Sequence, residues 1–219
     1  MESDNIAWLG HASFAINSGD TLVYIDPFRL DAGAKHADVV LVTHPHFDHF
    51  SVEDIKKVTG PDTEIFVPKD SVNAVSFGRV IGVEPNKDYS SHGVRFSTLP
   101  AYNTEKERMD FHPKANGWVG YILEANKMSI YYPGDTDNIG ELERLDVDMA
   151  LLPIGGTYTM DVDQAIAASK RIKAGAFAPM HYKAVLGKER AHEAEQKFLK
   201  SVRNSKLLKE AKEPYYSFD

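Results

Sequence analysis

A dense cluster of possible metal ligands directly follows a short apolar run, and this pairing constrains the fold more than any other feature. Residues 38–43 read DVVLVT, and residues 44–49 read HPHFDH. A continuous apolar run is typical of a strand covered on both faces, and Pro45 cannot donate a ladder hydrogen bond. The strand should therefore end near Thr43. The histidines then follow the carboxyl end of a buried strand, where layered α/β folds usually carry their sites.

The spacing within this loop predicts two groups of ligands. Residues i and i+2 of an extended segment point the same way, so His44 and His46 could hold one ion. Phe47 separates them from Asp48 and His49, which could turn toward a second ion. Imidazole and carboxylate ligands suit zinc, manganese or iron. The alternative is a chance cluster on a solvated loop.

Two later strand ends repeat this arrangement. The stretch IYYPGDTD places Asp135 at the end of a strand, where its two oxygens could bridge two ions, although a simple turn aspartate is the alternative. The buried run GAFAPM is followed at once by His181. Since a catalytic zinc usually has at least three protein ligands, we expect these two residues to contribute to the site.

The remaining pattern predicts two packed sheets with helices outside. We expect a single domain over residues 1–219, a length that fits one large domain or two small ones. The predicted strands cover 5–10, 12–17, 21–26, 38–43, 64–67, 79–83, 94–99, 117–124, 128–132, 147–154 and 175–180. The predicted helices follow Ser51 to about residue 58, follow Asp161 to about residue 172, with Gln164 in the reciprocal capping position, and cover 188–202.

Composition narrows the function classes. The chain has no cysteine, which excludes disulfides, thiolate catalysis and cysteine-ligated zinc. The net charge of −7 disfavours nucleic acid or an anionic membrane as a non-specific partner. No apolar run is long enough to span a bilayer, and the N-terminal residues do not resemble a secretory signal. We therefore expect a cytoplasmic location without stable membrane association.

The order of these motifs resembles the metallo-β-lactamase-fold hydrolases. The resemblance rests on HxHxDH, then Gly-Asp, then a histidine after a strand, and it runs from WLGHASFAI to His181. The stretches WLGHASF and IDPF look most like the branch that includes L-ascorbate-6-phosphate lactonase and the N-acylphosphatidylethanolamine phospholipase D enzymes. The resemblance implies a four-layer αββα sandwich, with two mixed sheets packed face to face and helices outside. It also implies divalent ions at the edge of the two sheets, commonly zinc, and we expect two.

The resemblance also implies the ligands, residue by residue. It gives His44 and His46 to the first ion, Asp48, His49 and His181 to the second, and Asp135 to both as a bridge. The chain departs from the family pattern at Asn103, where related sequences tend to carry the third histidine of the first site. Either His112 folds back to fill that position, or the first site is one ligand short; we expect His112. His92 is interpreted as a turn residue and is left out of the site.

Further residues are candidates for roles beside the ions. We expect His11 to act there as a catalytic or substrate-contacting group, although a buried structural histidine is the alternative. Asp26 could accept the free N–H of a ligand histidine, or it could simply form a turn before Pro27. Asp48 could orient the attacking hydroxide as well as bind an ion. Asp48 and His11 are therefore the predicted catalytic residues.

Three cations and one loop lie near the metal motifs in sequence. Arg108, Lys114 and Lys183 could each hold an anionic substrate group, or could be ordinary solvated charges. Residues 155–161, GGTYTMD, should form a loop over the site, where two glycines allow close backbone approach. The alternative for this loop is that it only leads into the next helix through Asp161.

These observations predict a metal-dependent hydrolase that uses a metal-bound hydroxide to attack a small ester, lactone or phosphodiester. The partner is then a small molecule, with an anionic one left open, and not nucleic acid. A diiron redox enzyme is disfavoured because such relatives resemble HxExD, whereas this chain carries His46. A nuclease is disfavoured by the acidic charge and by the lack of a large insertion after Asp135. A non-enzymatic metal-binding or ligand-sensing module with an incomplete first site remains the alternative.

Overall fold

A first six-stranded sheet is built from the N-terminal strands. The computed structural model describes residues 5–211, and the statements below refer to these. In spatial order this sheet contains β1 (Ile6–Gly10), β2 (Ser13–Ser18), β3 (Thr21–Ile25), β4 (Ala37–Leu41), β5 (Thr59–Pro68) and β6 (Arg79–Val83). Strands β1 to β3 pair antiparallel, and β3 to β6 pair parallel.

A second sheet of six described strands follows along the chain. In chain order it contains β7 (Asp88–Ser91), β8 (Val94–Pro100), β9 (Val119–Ala125), β10 (Met128–Tyr132), β11 (Asp146–Pro153) and β12 (Lys173–Met180), and the spatial order is the reverse. Strands β7 to β10 pair antiparallel, and β10 to β12 pair parallel. Both sheets are therefore mixed, as the sequence analysis predicted.

The two sheets pack face to face through aromatic side chains. Phe66 of β5 contacts Phe96 of β8 with ring centroids 4.9 Å apart, and Phe14 of β2 contacts Tyr132 of β10 at 5.7 Å. All four side chains are buried in one continuous apolar core. Edge-to-face aromatic pairs at such distances add specific attraction to the burial of their area. The predicted sandwich is thus confirmed.

The helices cover the outer faces. They are α1 (Val52–Val58), α2 (Val162–Ser169), α3 (Lys183–Leu186) and α4 (Lys188–Ser201). Strand β4 shows why its sequence is apolar throughout. Val39 faces the sandwich core, whereas Val40 joins a second cluster with Ile55 of α1. Helix α2 packs against β11 and α4 on the other sheet.

Helix caps were predictable, but some boundaries were not. Ser51 accepts from the Asp54 amide, and Asp161 and Gln164 form the predicted capping box. The prediction that α2 continues to about residue 172 was wrong, because the helix ends at Ser169 and Lys173 already begins β12. Strand β7 and the short helix α3 were not predicted, and β5 begins five residues earlier than expected. No helix among residues 5–211 is long and apolar enough to cross a membrane.

Candidate metal centre

Loops at the carboxyl ends of several strands meet at one edge of the sandwich. His11 follows β1, Asp26 follows β3, and the HPHFDH loop follows β4. Asp135 follows β10 and His181 follows β12. The fold therefore brings together residues that are up to 170 positions apart in sequence.

A buried carboxylate fixes the rings of His44 and His49. Asp26 is fully buried and accepts from Nδ1 of His49 at 2.7 Å. It also accepts the hydroxyl of Thr43 at 2.7 Å, so the Thr43 oxygen is left to accept from Nδ1 of His44 at 2.9 Å. Both rings thus donate from Nδ1, and the neutral form of each ring presents an Nε2 lone pair to the site. This is the role proposed for Asp26 from the sequence.

His112 folds back over the HPHFDH loop and joins the first cluster. Ring nitrogens of His44, His46 and His112 all lie within 4.8 Å of one another. Asn103 does not face the cluster directly. Its Oδ1 lies 2.7 Å from Nδ1 of His112, and an amide oxygen can only accept, so His112 donates from Nδ1. The Nε2 lone pair of His112 then faces Nε2 of His44, 3.3 Å away.

The same loop contributes Asp48 and His49 to a second cluster. Ligand-type atoms of His11, Asp48, His49 and His181 lie within 4.8 Å of one another. His181 is buried and its Nε2 lies 3.7 Å from Oδ2 of Asp48. The structure therefore brings together the residues that the sequence analysis assigned to the second ion, and adds His11 to them.

Asp135 lies between the two clusters with one oxygen toward each. Its Oδ1 is 3.2 Å from Nε2 of His49 and 3.3 Å from Nε2 of His181. Its Oδ2 is 3.4 Å from Nε2 of His112 and 4.0 Å from Nε2 of His44. The carboxylate is buried, so both oxygens are available only to groups inside the site. This is the geometry expected of a bridging carboxylate.

The converging atoms fit divalent cations. Nε2 of His49, Nε2 of His181 and Oδ1 of Asp135 are buried and have no hydrogen-bond partner among the described residues. Buried polar atoms nearly always have one. The lone pairs of His44 and His112 also face each other without a proton between them. Cations with imidazole and carboxylate ligands would remove both costs.

The ionisation of the histidines agrees with this fit. Burial lowers the pKa of His44 well below its usual value and that of His112 to about 4. Both rings are therefore neutral near pH 7, which is the form that binds metals. Burial also opposes charge on His49, but the carboxylates of Asp135 and Asp26 outweigh it and raise its pKa well above the usual value. The centre of the site thus attracts positive charge.

His11 and Asp48 form a pair at the outer side of the second cluster. Nε2 of His11 lies 2.9 Å from Oδ2 of Asp48. Burial acts to raise the pKa of Asp48, but its contacts with His11 and His181 hold it well below the usual range. The carboxylate is therefore ionised and accepts the hydrogen bond. Both residues border a cavity of about 540 Å³, which gives this pair access to a ligand.

Close backbone packing supports the ligands. Gly134 has φ +63°, and a Cβ there would lie 2.8 Å from Cβ of Thr43. At Gly155 a Cβ would lie 2.4 Å from the carbonyl oxygen of His181. His11 and His181 themselves have φ of 50° and 53°, in the left-handed region that ordinary residues rarely adopt. Such strain concentrates at functional sites.

Arg108 has neither of the roles predicted for it. Its side chain is 10% exposed, and its Nε lies 2.7 Å from Oδ1 of Asp137, a carboxylate that is itself 1% exposed. Asp137 also accepts from the amides of Thr104 and Glu105, at the start of the loop that leads to His112. Arg108 and Asp137 therefore form an ion pair that stabilises this loop.

The two predicted lysines differ in position. Lys114 pairs with Glu141 at 3.0 Å near the surface, as an ordinary solvated charge would. Lys183 borders the 540 Å³ cavity, with its ammonium 4.5 Å above the ring of Trp8 and 3.6 Å from Glu210. Of the two, Lys183 alone borders this cavity.

His92 was predicted to lie outside the site, whereas no role was predicted for Arg29. His92 lies in the turn between β7 and β8 with φ of 47°, as expected. Arg29 borders the cavity but was not predicted. Its only sequence signal is that it directly follows the stretch IDPF. Tyr158 of the 155–161 loop also borders the cavity, which agrees with the predicted position of that loop.

A two-sheet sandwich with histidine and aspartate clusters at one edge is typical of proteins that bind metal ions there. Comparison with known proteins supports the same class. The family model described as Beta-lactamase superfamily domain matches residues 5–181, and the chain belongs to this family. The predicted family is thus confirmed, whereas the predicted lactonase and phospholipase branch stays a prediction.

Individual relatives cover most of the chain. A UPF0173 metal-dependent hydrolase of Thermoplasma volcanium is 35% identical over 191 residues, covering 81% of this chain and 82% of the relative. One of Nitratidesulfovibrio vulgaris is 36% identical over 199 residues, covering 81% and 79%. A crystal structure from Parabacteroides distasonis superposes with a TM-score of 0.82 at 29% identity, covering 94% of this chain and 93% of that one.

Proposed function

We propose that this protein is a hydrolase that requires two divalent ions, with zinc favoured over manganese or iron, and that acts on a small ester, lactone or phosphodiester. The relatives named metal-dependent hydrolases support the general class. The number of ions and the reaction are inferred from this chain's own residues. Water is the proposed nucleophile, because the chain has no cysteine and no serine nucleophile motif.

The placement of Asp135 carries the proposal. Its two oxygens face two different groups of imidazole nitrogens, at 3.2–3.4 Å on the near contacts. An ion in the second cluster alone would leave the Nε2 lone pairs of His44 and His112 facing each other at 3.3 Å. Two ions, one in each cluster, would satisfy both groups while sharing the carboxylate.

The chain's residues would divide the work as follows. Ions in the two clusters would polarise a substrate oxygen and lower the pKa of water. Asp48 would orient the attacking water, because its carboxylate is ionised and faces the cavity. His11 donates to Asp48 across 2.9 Å, and this pair would take up a proton from the attacking water and return it to the leaving group.

The cavity supports a small-molecule substrate. Its volume of about 540 Å³ lies within the range of small-molecule sites. It reaches the ligand groups through His11 and Asp48. The single domain, the cytoplasmic location, and the absence of nucleic-acid and membrane partners stay predictions.

The two alternatives, a ligand-sensing module and a redox enzyme, have less support than hydrolysis. A sensing module was considered because Asn103 replaces an expected histidine, but His112 now occupies the first cluster. A redox role has no support from the first cluster, where His46 stands in place of the glutamate of diiron relatives. Hydrolysis therefore remains the one function that the geometry favours.

Substitution of one ligand tests the proposal. We expect His46→Ala to abolish hydrolysis of bis(para-nitrophenyl) phosphate, or of whichever lactone or thioester the wild type cleaves, while the circular dichroism spectrum is retained. His46 is half-buried, so its removal leaves the core intact. The matched control is His92→Ala, which removes an exposed turn histidine. Unchanged turnover by a His46→Ala variant of verified metal content would refute the assignment.

A further inference from the structure

The cavity beside the metal centre contains a cation that the proposed chemistry does not use. Arg29 is exposed and borders the cavity together with His11 and Asp48. Among residues 5–211 its guanidinium has no carboxylate partner, and it lies over the ring of Phe28, 4.9 Å from the centroid. The other cation of the cavity, Lys183, already lies 3.6 Å from Glu210.

The backbone around Arg29 is held firmly in an uncommon conformation. Arg29 has φ of 57°, which is rare for a residue with a large side chain. The carboxylate of Asp54 accepts from the amides of Arg29 and Leu30 at 2.8 and 3.0 Å. Lys57 in turn donates to the carbonyl of Leu30 at 2.6 Å and to Asp54 at 2.8 Å. The turn that presents Arg29 at the cavity is thus fixed from behind by helix α1.

An apolar wall stands next to this cation. Phe47 belongs to the HPHFDH loop and is 75% exposed, although it borders the cavity. Its ring meets that of Phe28 edge to face at 5.9 Å. Five large hydrophobic side chains are exposed among the described residues, and four lie on loops that carry the site: Phe47, Met109, Phe111 and Tyr158. Of these, Phe47 and Tyr158 border the cavity, and Phe111 contacts Tyr158 with ring centroids 4.9 Å apart. Exposed apolar side chains beside a cavity are typical of binding sites.

From these contacts we propose that Arg29 binds an anionic group of the substrate, a carboxylate or a phosphate, while Phe28 and Phe47 contact an apolar part of the same molecule. This rests on the proposed hydrolase function and adds the substrate class: small amphipathic anions whose charge is separate from the scissile bond. A guanidinium suits this role because its fixed fork matches carboxylate and phosphate oxygens.

A pair of esters that differ in one group tests the charge preference. Mono-para-nitrophenyl glutarate and para-nitrophenyl valerate share the leaving group and the chain length, but the first ends in a carboxylate and the second in a methyl group. We expect Arg29→Met to lower kcat/KM for the glutarate, relative to kcat/KM for the valerate, about ten-fold. Loss of one charge-assisted hydrogen bond predicts a change of this size. Arg29→Lys should retain part of the preference.

The matched control is Arg144→Met, which removes an equal charge from an exposed residue that does not border the cavity. This variant should keep the wild-type ratio. An unchanged ratio in Arg29→Met, or an equal fall in both variants, would overturn the proposal. The first result would exclude contact with the substrate, and the second would leave only a general effect of net charge.

A binding measurement separates this inference from the hydrolase function. If the wild type cleaves neither ester, the hydrolase proposal fails for esters, and calorimetry decides the role of Arg29. The wild type should then bind phenylbutyrate more tightly than the neutral phenylbutanamide, and Arg29→Met should lose that difference. Equal binding of phenylbutyrate by Arg29→Met and Arg144→Met would overturn the anion site, whatever the outcome of the kinetics.

Discussion

Nδ1 of His112 lies 2.7 Å from Oδ1 of Asn103, so the residue that replaces an expected ligand instead orients the ligand that takes its place. The Nδ2 of Asn103 donates to the carbonyl of Tyr158 at 3.0 Å, which fixes the amide so that its oxygen faces the histidine. Such a partner sets the tautomer of a ligand histidine and raises its basicity. Asn103 therefore acts on the first cluster through His112.

Asn103→Ala should weaken metal binding at the first cluster about 10–100-fold, because His112 would lose the acceptor that directs its Nε2. Competition with a chromogenic chelator measures this affinity. The second cluster should keep its affinity, since Asn103 does not contact it.

Asn103→Asp separates two explanations of such a loss. Aspartate keeps an acceptor for His112 but cannot donate to Tyr158. We expect this variant to bind metal at the first cluster more tightly than Asn103→Ala does. Equal affinities in the two variants would show that the contact with Tyr158, and not the acceptor for His112, is what matters.

Arg108→Met should destabilise the protein by about 3 kcal/mol, because it leaves the buried carboxylate of Asp137 without its cation. Urea unfolding of the metal-free protein measures the change. Lys114→Met is the matched control, since Lys114 forms an ion pair with Glu141 but is 61% exposed. An exposed pair of this kind contributes little to stability, so Lys114→Met should destabilise the protein much less than Arg108→Met does. Similar losses in the two variants would contradict a special role for Arg108.

The pKa of His112 predicts a pH dependence of stability in the metal-free protein. Burial lowers this pKa to about 4, whereas the unfolded chain has a value near 6.5. As the pH falls from 6.5 to 4, His112 becomes protonated in the unfolded state but stays neutral in the folded state. The free energy of unfolding therefore decreases. The loss from this one residue amounts to at most about 3 kcal/mol.

His112→Gln removes this contribution. Its melting temperature should fall less than that of the wild type between pH 7 and pH 4.5, whatever its stability at pH 7. Thermal melts in the presence of a chelator give both curves. Parallel curves for the two proteins would show that His112 does not resist protonation in the folded state.

Local sequence patterns predicted the parts of the site that follow strands. His44 and His181 closely follow apolar runs that form strands, and His49 lies in the same loop as His44. The capping residues Ser51 and Asp161 were predictable for the same reason, because a cap involves residues only three positions apart. These features depend on short stretches of chain.

Features that join distant segments were not predictable in this way. Nothing local shows that Arg108 will pair with the buried Asp137, 29 residues later, so the sequence left open that it is an ordinary surface charge. Arg29 reaches the cavity through a left-handed turn held by Asp54, a contact across 25 residues. The place of His112 was predicted only from the gap that Asn103 left in the family pattern.

The metal content of the purified protein tests the central claim most directly. Elemental analysis of the wild type should give about two divalent ions per chain, one for each cluster that shares Asp135. His46→Ala and His181→Ala should each retain about one ion, because each removes a ligand from a different cluster. A wild-type protein that binds no ion, or only one, after saturation with zinc, manganese or iron and gel filtration would contradict the account.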